Sequence, residues 1–257
     1  MRRLLQLSMK GINYRRMGPA GWFALKKSTA KLKLLTALPS HHRVRLIKHI
    51  LSFGSKSGLG QDLFVLSTLN FKRSGYFVEF GGSNGISNSN SFILEKRYAW
   101  SGIVAEPAKC WHDSLARNRA CEIDYDCVWR MSGEWLPFEE YDNGELSTIG
   151  SYSDSDSHRA VRVNPRSYPV RTVSLEDLLR KHRAPRVIDY LSIDTEGSEF
   201  EILNSFDFGA FDIRIITCEH NYTAGREPVR QLLEKSGYRR RLCEMSRYDD
   251  WFVKSDY

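Results

Sequence analysis

The chain has 257 residues, of which 41% are hydrophobic and 27% charged, a composition typical of a soluble globular protein with one substantial core. Its apolar runs are too short to cross a bilayer, and the basic residues Lys10, Arg15 and Arg16 interrupt any secretory signal. Five cysteines, an odd number without CxxC spacing, argue against a disulfide framework or a zinc ribbon and favour a reduced, cytoplasmic setting.

Charge is distributed unevenly along the chain. Residues 1–61 contain 13 Lys or Arg and no Asp or Glu, whereas the remaining 196 residues contain 25 basic and 31 acidic groups. Several interpretations of the basic segment stay open: peripheral contact with an anionic membrane, binding of acidic polysaccharide or nucleic acid, a transit peptide, or a solvated helical appendage. Contact with lipid would place the protein at the inner face of the membrane.

The first 74 residues are predicted to form a basic helical extension. Apolar residues recur there at helical spacing in two stretches, which predicts two amphipathic helices with the apolar faces Val44, Ile47, Leu51 and Leu59, Leu63, Leu66.

From residue 75 to the C-terminus, strands alternate with helices. Strands are predicted at 76–80, 102–107, about 121–128, 187–194 and 213–219, followed by an antiparallel pair formed by GYRRRLC and DDWFVK. Repeated β-α units predict an α/β, Rossmann-like doubly wound sheet that binds its ligand at the C-terminal ends of the strands. The polar segment between Pro137 and Arg171 fits neither period and is either a solvated loop or a substrate-gating insertion.

A glycine-rich turn, EFGGSNG at 79–85, follows the first of these strands. Glycine allows tight backbone bending and close approach of a ligand, and a helix starting there would offer free N–H groups to an anion. The pattern GxGxxG of nicotinamide-binding turns is absent, because Phe80 stands where it needs glycine. The next strand ends in Glu106, 21 residues after Gly85, where an acid can accept both hydroxyls of a ribose.

At these residues the chain resembles the FkbM family of S-adenosylmethionine-dependent methyltransferases. The matching stretches are FVEFGGSNGISNS, GIVAEP, RTVSLEDLL, IDYLSIDTEGSEFEIL, CEHN, GYRR and DDWFVK. The resemblance covers residues 74–254 and implies a class I methyltransferase fold of about seven strands, the last one antiparallel. It also implies methyl transfer to an oxygen, often a sugar hydroxyl of a polysaccharide, glycolipid or polyketide-derived product.

The same resemblance implies a set of cofactor contacts. The methionine end of S-adenosylmethionine would lie on Glu79, Gly81, Gly82, Ser83, Asn84 and Gly85. The ribose would lie on Glu106, with Pro107 beside it, and the adenine near Asp126, Cys127 and Val128. Gly82 and Ser83 stand where many members have alanine and asparagine or aspartate, a change between small residues that should matter little for cofactor binding.

Two further motifs end strands at the predicted ligand edge. Asp194 and Glu196 follow the buried-looking run YLSI and are candidates for the reaction centre, although capping of the next helix would also explain acids at this position. Glu219 and His220 end the following strand, where a base could remove the proton of an acceptor hydroxyl.

Alternatives remain for the site and for the function. Asp194, Glu219 and Asn221 form an all-oxygen set that would suit Mg²⁺, although the metal is the weaker interpretation. A non-catalytic glycan- or membrane-binding module is disfavoured by the intact residues Glu79, Gly85, Glu106 and Asp194. An RNA methyltransferase is disfavoured by the net acidic character of the catalytic half.

Overall fold

The computed structural model describes residues 40–153 and 161–257, and the statements on structure concern these ranges. Its helices are α1 Ser40–Phe53, α2 Gln61–Thr68, α3 Phe92–Tyr98, α4 His112–Asn118, α5 Leu175–Lys181, α6 Glu199–Asn204, α7 Arg226–Lys235 and α8 Cys243–Ser246. Its strands are β1 Tyr76–Phe80, β2 Ser101–Ala105, β3 Glu122–Asp124, β4 Cys127–Trp129, β5 Trp135–Glu140, β6 Thr148–Ile149, β7 Arg166–Ser174, β8 Val187–Ile193, β9 Asp212–Glu219, β10 Tyr238–Arg241 and β11 Asp249–Lys254.

The main sheet has seven strands in the order β10-β11-β9-β8-β1-β2-β3. Strands β1, β2, β3, β8 and β9 pair in parallel, whereas β11 is antiparallel to both β9 and β10. The sequence prediction of a class I methyltransferase sheet with an antiparallel last strand is therefore confirmed. Strand order reverses at β1, so the loops after β1, β2 and β8 meet at a topological switch point.

Two hydrophobic clusters cover the two faces of this sheet. Successive side chains of a strand point to opposite faces, and Phe77 accordingly packs in one cluster while Val78 packs in the other. Helices α5, α6 and α7 contribute to the cluster of Val78, and helices α2, α3 and α4 to that of Phe77. Burial on both faces explains why β8 reads as a nearly continuous apolar run.

The N-terminal helices pack differently from the sequence prediction. Helix α2 is buried from Gln61 to Ser67, not on one face only, and its Phe64 stacks on Trp251 with ring centroids 4.8 Å apart. In α1 the buried residues are Leu46 and His49. The predicted apolar face is wrong, because its three members lie outward with exposed fractions of 56%, 38% and 82% for Val44, Ile47 and Leu51.

The described part of the N-terminal extension belongs to the same packed body as the sheet. Leu46 of α1 and all the apolar residues of α2 share a cluster with Phe77. The domain boundary at residues 74 and 75 stays a prediction. Residues 1–39, which make up most of the basic segment, lie outside the described residues.

A second sheet, which we call the capping sheet, has four strands in the order β4-β7-β5-β6. Apart from β4, it forms mainly from the segment around 137–171 that sequence periodicity left unassigned, and residues 154–160 of that segment lie outside the description. The strand predicted at 121–128 is corrected to two strands, because the chain leaves the main sheet after Asp124 and enters the capping sheet at Cys127.

No helix in the described part of the chain is long and apolar enough to cross a membrane. All five cysteines are free thiols, and Cys127 and Cys218 are buried, as expected for structural cysteine.

Candidate active site

A cavity opens where the ends of β1, β2 and β8 face the capping sheet. Nine of the predicted site residues line it: Glu79, Gly81, Ser83, Glu106, Pro107, Cys127, Val128, Asp194 and Glu196. The remaining predicted residues are not among its lining: Gly82, Asn84, Gly85, Asp126, Glu219 and His220. The capping sheet contributes Phe138 and Ile149, so the segment that resembled a loop forms a wall of the cavity.

The glycine turn needs glycine for two separate reasons. Gly81 has φ +72°, and a Cβ there would clash with the main-chain oxygen of Asp194. Gly85 has φ +80° and packs against the side chains of Leu115 and Arg119. The turn continues as a loop up to α3, so the prediction that a helix begins directly after Gly85 is wrong.

Gly82 is close to the side chain of Val104 on β2, and a Cβ at this position would clash with its Cγ1. Gly82 therefore accommodates a neighbouring side chain and does not itself line the cavity.

Glu79 organises the loop between the glycine turn and α3. Its carboxylate accepts hydrogen bonds from the Ser89 and Ser91 hydroxyls and from the main-chain N–H of Asn90, at 2.9, 2.5 and 2.5 Å. The guanidinium of Arg119, which is fully buried, forms an ion pair with the same carboxylate at 3.4 Å. A buried carboxylate is tolerated when it is paired and hydrogen-bonded in this way.

Glu106 lies at the end of β2 and faces the glycine turn. Its two carboxylate oxygens accept from the main-chain N–H groups of Ser83 and Ala108, at 2.8 and 2.9 Å. Burial raises the pKa of Glu106 to about 7, although both N–H groups oppose the shift. Because each carboxylate oxygen can accept a second hydrogen bond, the group has room for two further donors. This fits the two hydroxyls of a ribose.

Asp194 and Glu219 end the adjacent strands β8 and β9 and form a hydrogen bond between their carboxyl groups. Burial is the main reason that the pKa of Asp194 rises to about 7, and the charge of Glu196 adds to the rise. Burial and the charge of Asp194 keep the pKa of Glu219 well above its usual range. Both carboxyl groups are therefore easier to protonate than an exposed acid, and Asp194 is the one that lines the cavity.

Two long-range contacts fix Glu196, which has φ +58°. Arg162 reaches its carboxylate with Nη2 at 3.0 Å, and the Thr148 hydroxyl donates to its main-chain oxygen at 3.1 Å. Other non-glycine residues with positive φ near the cavity are Ser83, Asn88 and Asn221. Such backbone conformations cost energy and tend to cluster at functional sites.

His220 does not line the cavity. Its Nδ1 accepts from the main-chain N–H of Tyr222 at 3.0 Å, and its Nε2 lies 3.8 Å from Asp250. Burial lowers the pKa of His220 to about 4, although the charge of Asp250 opposes the shift. An imidazole with this pKa is a weak base at neutral pH, so Asp194 is the better candidate for proton removal.

The carboxylates also meet the geometric condition for a cation site. Asp194, Glu196 and Glu219 each offer an oxygen within 4.8 Å of the others, and the Asn221 amide donates to Glu219 at 2.7 Å. Arg162 neutralises the charge of Glu196, and one proton held between Asp194 and Glu219 would leave the three acids and this arginine with a net charge of −1. Asn221, predicted as a ligand, points its N–H₂ group at the acids.

Sequence reasoning missed several residues of this site. Arg119, Arg162 and Asp249 are buried polar residues far along the chain from the motifs that they support, and Asn90 lines the cavity beside Glu79. Only Asn90 had a nearby signal, because it follows the glycine turn in a run rich in serine and asparagine.

Solved structures align with this chain at low sequence identity. Two solved structures align over much of the chain: precorrin-6y C5,15-methyltransferase from Geobacter metallireducens GS-15, with 12% identity over 75% of this chain and 85% of that one, and PH1948 from Pyrococcus horikoshii, described as an RNA methyltransferase, with 10% identity over 84% and 99%. Their TM-scores are 0.39 and 0.36. A search of curated proteins finds no match.

The family model described as the methyltransferase FkbM domain matches residues 79–240, more than half of the chain. The match begins at Glu79 and includes the glycine turn, Glu106, the capping sheet and the acids that end β8 and β9. This chain belongs to the FkbM family of methyltransferase domains.

Proposed function

We propose that the protein is an S-adenosylmethionine-dependent O-methyltransferase that methylates a saccharide hydroxyl. The observation on which the proposal rests is the position of Asp194. Its carboxyl group lines the cavity, has a pKa raised to about 7 by burial, and forms a hydrogen bond with the carboxyl group of Glu219. A base with a pKa near the operating pH is well suited to remove a proton as a new bond forms.

The cavity residues divide into two groups. The cofactor wall comprises Glu79, the glycine turn, Glu106, Cys127 and Val128, and it would take the nucleoside with the ribose on Glu106. The acceptor wall comprises Asp194 and Glu196 at the cavity surface with Glu219 and Asp249 behind them. When bound, S-adenosylmethionine supplies a methyl group on a sulfonium that leaves as a neutral thioether.

In the proposed reaction, Asp194 accepts the proton of the acceptor hydroxyl as its oxygen bonds to the methyl carbon and the carbon–sulfur bond breaks. Glu219 orients the Asp194 carboxylate through its hydrogen bond, and Arg162 keeps Glu196 in place. The two walls meet where Gly81 packs on the main chain of Asp194, which fixes their separation. Holding the reacting groups in line in this manner provides much of the rate.

A saccharide acceptor is supported by the family resemblance and by the polar lining of the acceptor wall. Carboxylates there offer several acceptors to an acceptor molecule with several hydroxyl groups. The test is to incubate the protein with methyl-labelled cofactor and extracts of its own cell envelope. We expect label in base-stable glycan material and none with Asp194→Asn. Label confined to nucleic acid would contradict the saccharide assignment and support an RNA methyltransferase.

We also propose peripheral contact with anionic lipid through α1. Its outward face combines Val44, Ile47 and Leu51 with the exposed cation Lys48, as in helices that lie in a membrane interface. Absence of a difference between neutral and anionic vesicles in co-sedimentation would contradict this proposal. Leu51→Ser is expected to reduce binding to anionic vesicles, and Val163→Ser, at another exposed apolar residue, provides the control.

A further inference from the structure

Asn90 is a buried cavity residue whose amide is only half satisfied. It is 7% exposed and lines the cavity. Its Nδ2 donates to the Ser192 hydroxyl at 2.9 Å, and its main-chain N–H donates to Glu79. Its Oδ1 has no hydrogen-bond partner among the described residues. A buried acceptor without a partner costs about 1–3 kcal/mol, so such a group calls for an explanation.

The surroundings hold this oxygen in a fixed position. Glu79 on β1 and Ser192 on β8 are paired in register, and Asn90 bonds to both. The residue is therefore anchored across two adjacent strands, through its main-chain N–H to β1 and its side-chain nitrogen to β8, and the side-chain oxygen is left over. An oxygen fixed in this way is preorganised to accept a hydrogen bond from a bound ligand.

The position of Asn90 selects one end of the cofactor. Glu106 ends β2, on one side of β1, whereas Asn90 bonds to β8 on the other side, two residues before Asp194. With the ribose on Glu106 and the adenine near Cys127 and Val128, the donor remaining at the far end of S-adenosylmethionine is its ammonium group. A hydrogen bond from an ionised donor is about twice as strong as a neutral one.

We propose that Asn90 Oδ1 accepts a hydrogen bond from the methionine ammonium of the cofactor and thereby sets the position of the methionine end. The inference rests on the proposed use of S-adenosylmethionine. A neutral oxygen suits this place, because a further carboxylate beside Glu79 and Asp194 would add to the acidic charge already buried there.

The test is calorimetric binding of three ligands to wild type and to Asn90→Leu, which is close in size and lacks the oxygen. S-adenosylhomocysteine has the ammonium and the carboxylate, its decarboxylated analogue has only the ammonium, and 5′-methylthioadenosine has neither. We expect the substitution to weaken the first two ligands about 10-fold, about 1.4 kcal/mol, and to leave methylthioadenosine within about twofold. Asn204→Leu, the same substitution at an exposed position of α6 that does not line the cavity, is the control and should leave all three affinities unchanged.

The outcomes separate this inference from the function on which it rests. An equal loss for all three ligands, no loss for any, or a loss confined to the ligand with the carboxylate would overturn the role of Asn90 while leaving the cofactor assignment intact. If wild type binds none of the three, the cofactor assignment fails and this inference with it. Should Asn90→Leu not fold, Asn90→Ala provides the same comparison.

Discussion

The two walls of the cavity use buried carboxyl groups in different ways. On the cofactor wall, Glu79 and Glu106 accept hydrogen bonds from serine hydroxyls and main-chain N–H groups of nearby loops. On the acceptor wall, Asp194 faces another carboxyl group, Glu219, and the two form a hydrogen bond. The surroundings thus differ between similar residues: one set is held by donors, and the other has raised pKa values that suit the proton removal proposed above.

The largest expected effect comes from the acceptor wall. Asp194→Asn removes the proposed base and should lower kcat about 100-fold or more, while the Kd of S-adenosylhomocysteine stays within about fivefold of wild type. Single-turnover kinetics with labelled cofactor would measure the first quantity and calorimetry the second. Equal losses in kcat and in affinity for S-adenosylhomocysteine would show that the two walls do not have separate roles.

Glu219→Gln provides the matched variant, because glutamine can still donate a hydrogen bond to Asp194. We expect it to retain much more activity than Glu219→Leu, which cannot donate. If the two variants are equally inactive, Glu219 acts through something other than orientation of Asp194.

The next effect concerns the junction of the walls. Gly81→Ala places a Cβ against the main-chain oxygen of Asp194 and also requires an unfavourable positive φ. The expected loss in the free energy of unfolding is about 2–5 kcal/mol, measured by urea denaturation. Gly237→Ala has a similar φ but nothing near its Cβ, so it should lose only about 1–2 kcal/mol. Equal losses would show that the junction is not tightly packed.

The pH dependence of stability tests the raised pKa of Asp194. The pKa of Asp194 rises from 3.8 unfolded to about 7 folded, so the folded state binds its proton more tightly. Its contribution to stability is therefore complete below about pH 4 and is lost as the pH rises towards 7. The difference in unfolding free energy between wild type and Asp194→Asn should fall by about 1 kcal/mol or more across this window. If the difference in unfolding free energy does not change between pH 4 and 7, the raised pKa of Asp194 is contradicted.

The smallest effect is expected at Thr148, whose hydroxyl donates to the main chain of Glu196. Thr148→Val keeps the shape of the side chain and should cost about 1 kcal/mol in unfolding free energy. We expect kcat to fall only a few-fold, because Arg162 still holds the Glu196 carboxylate. If kcat falls much more than a few-fold while the unfolding free energy falls by only about 1 kcal/mol, the backbone of Glu196 is part of the reaction centre.

The same comparison explains what sequence reasoning could predict. Some contacts on the cofactor wall are local: Glu106 binds Ala108, and the glycine turn follows its strand directly, so spacing indicated this region, although not the distant contact of Arg119 with Glu79. Contacts on the acceptor wall are distant: Arg162 reaches Glu196 from the capping segment, and Gln61 donates to Asp249 from α2 at 2.6 Å. No period or spacing relates such pairs.

The elements that were assigned wrongly from the sequence also depend on contacts between residues that are distant in the chain. The strands of the capping sheet pair with one another, and their polar residues obscure the alternation of apolar and polar residues from which a strand is predicted. The segment therefore resembled a loop. In α1, the apolar spacing was correct for a helix but indicated the wrong face, because Leu46 and His49 turn inward instead. Periodicity identifies an element more reliably than the neighbours it will pack against.

The nucleoside site formed by the glycine turn and Glu106 is tested by calorimetric titration of S-adenosylhomocysteine into wild type, Glu106→Gln and Glu106→Ala. If the glycine turn and Glu106 form one nucleoside site, wild type binds, and the alanine variant, which loses the ribose acceptor and the support of Ser83, binds at least about 100-fold more weakly, with glutamine intermediate. Equal affinity in all three folded proteins would contradict the claim.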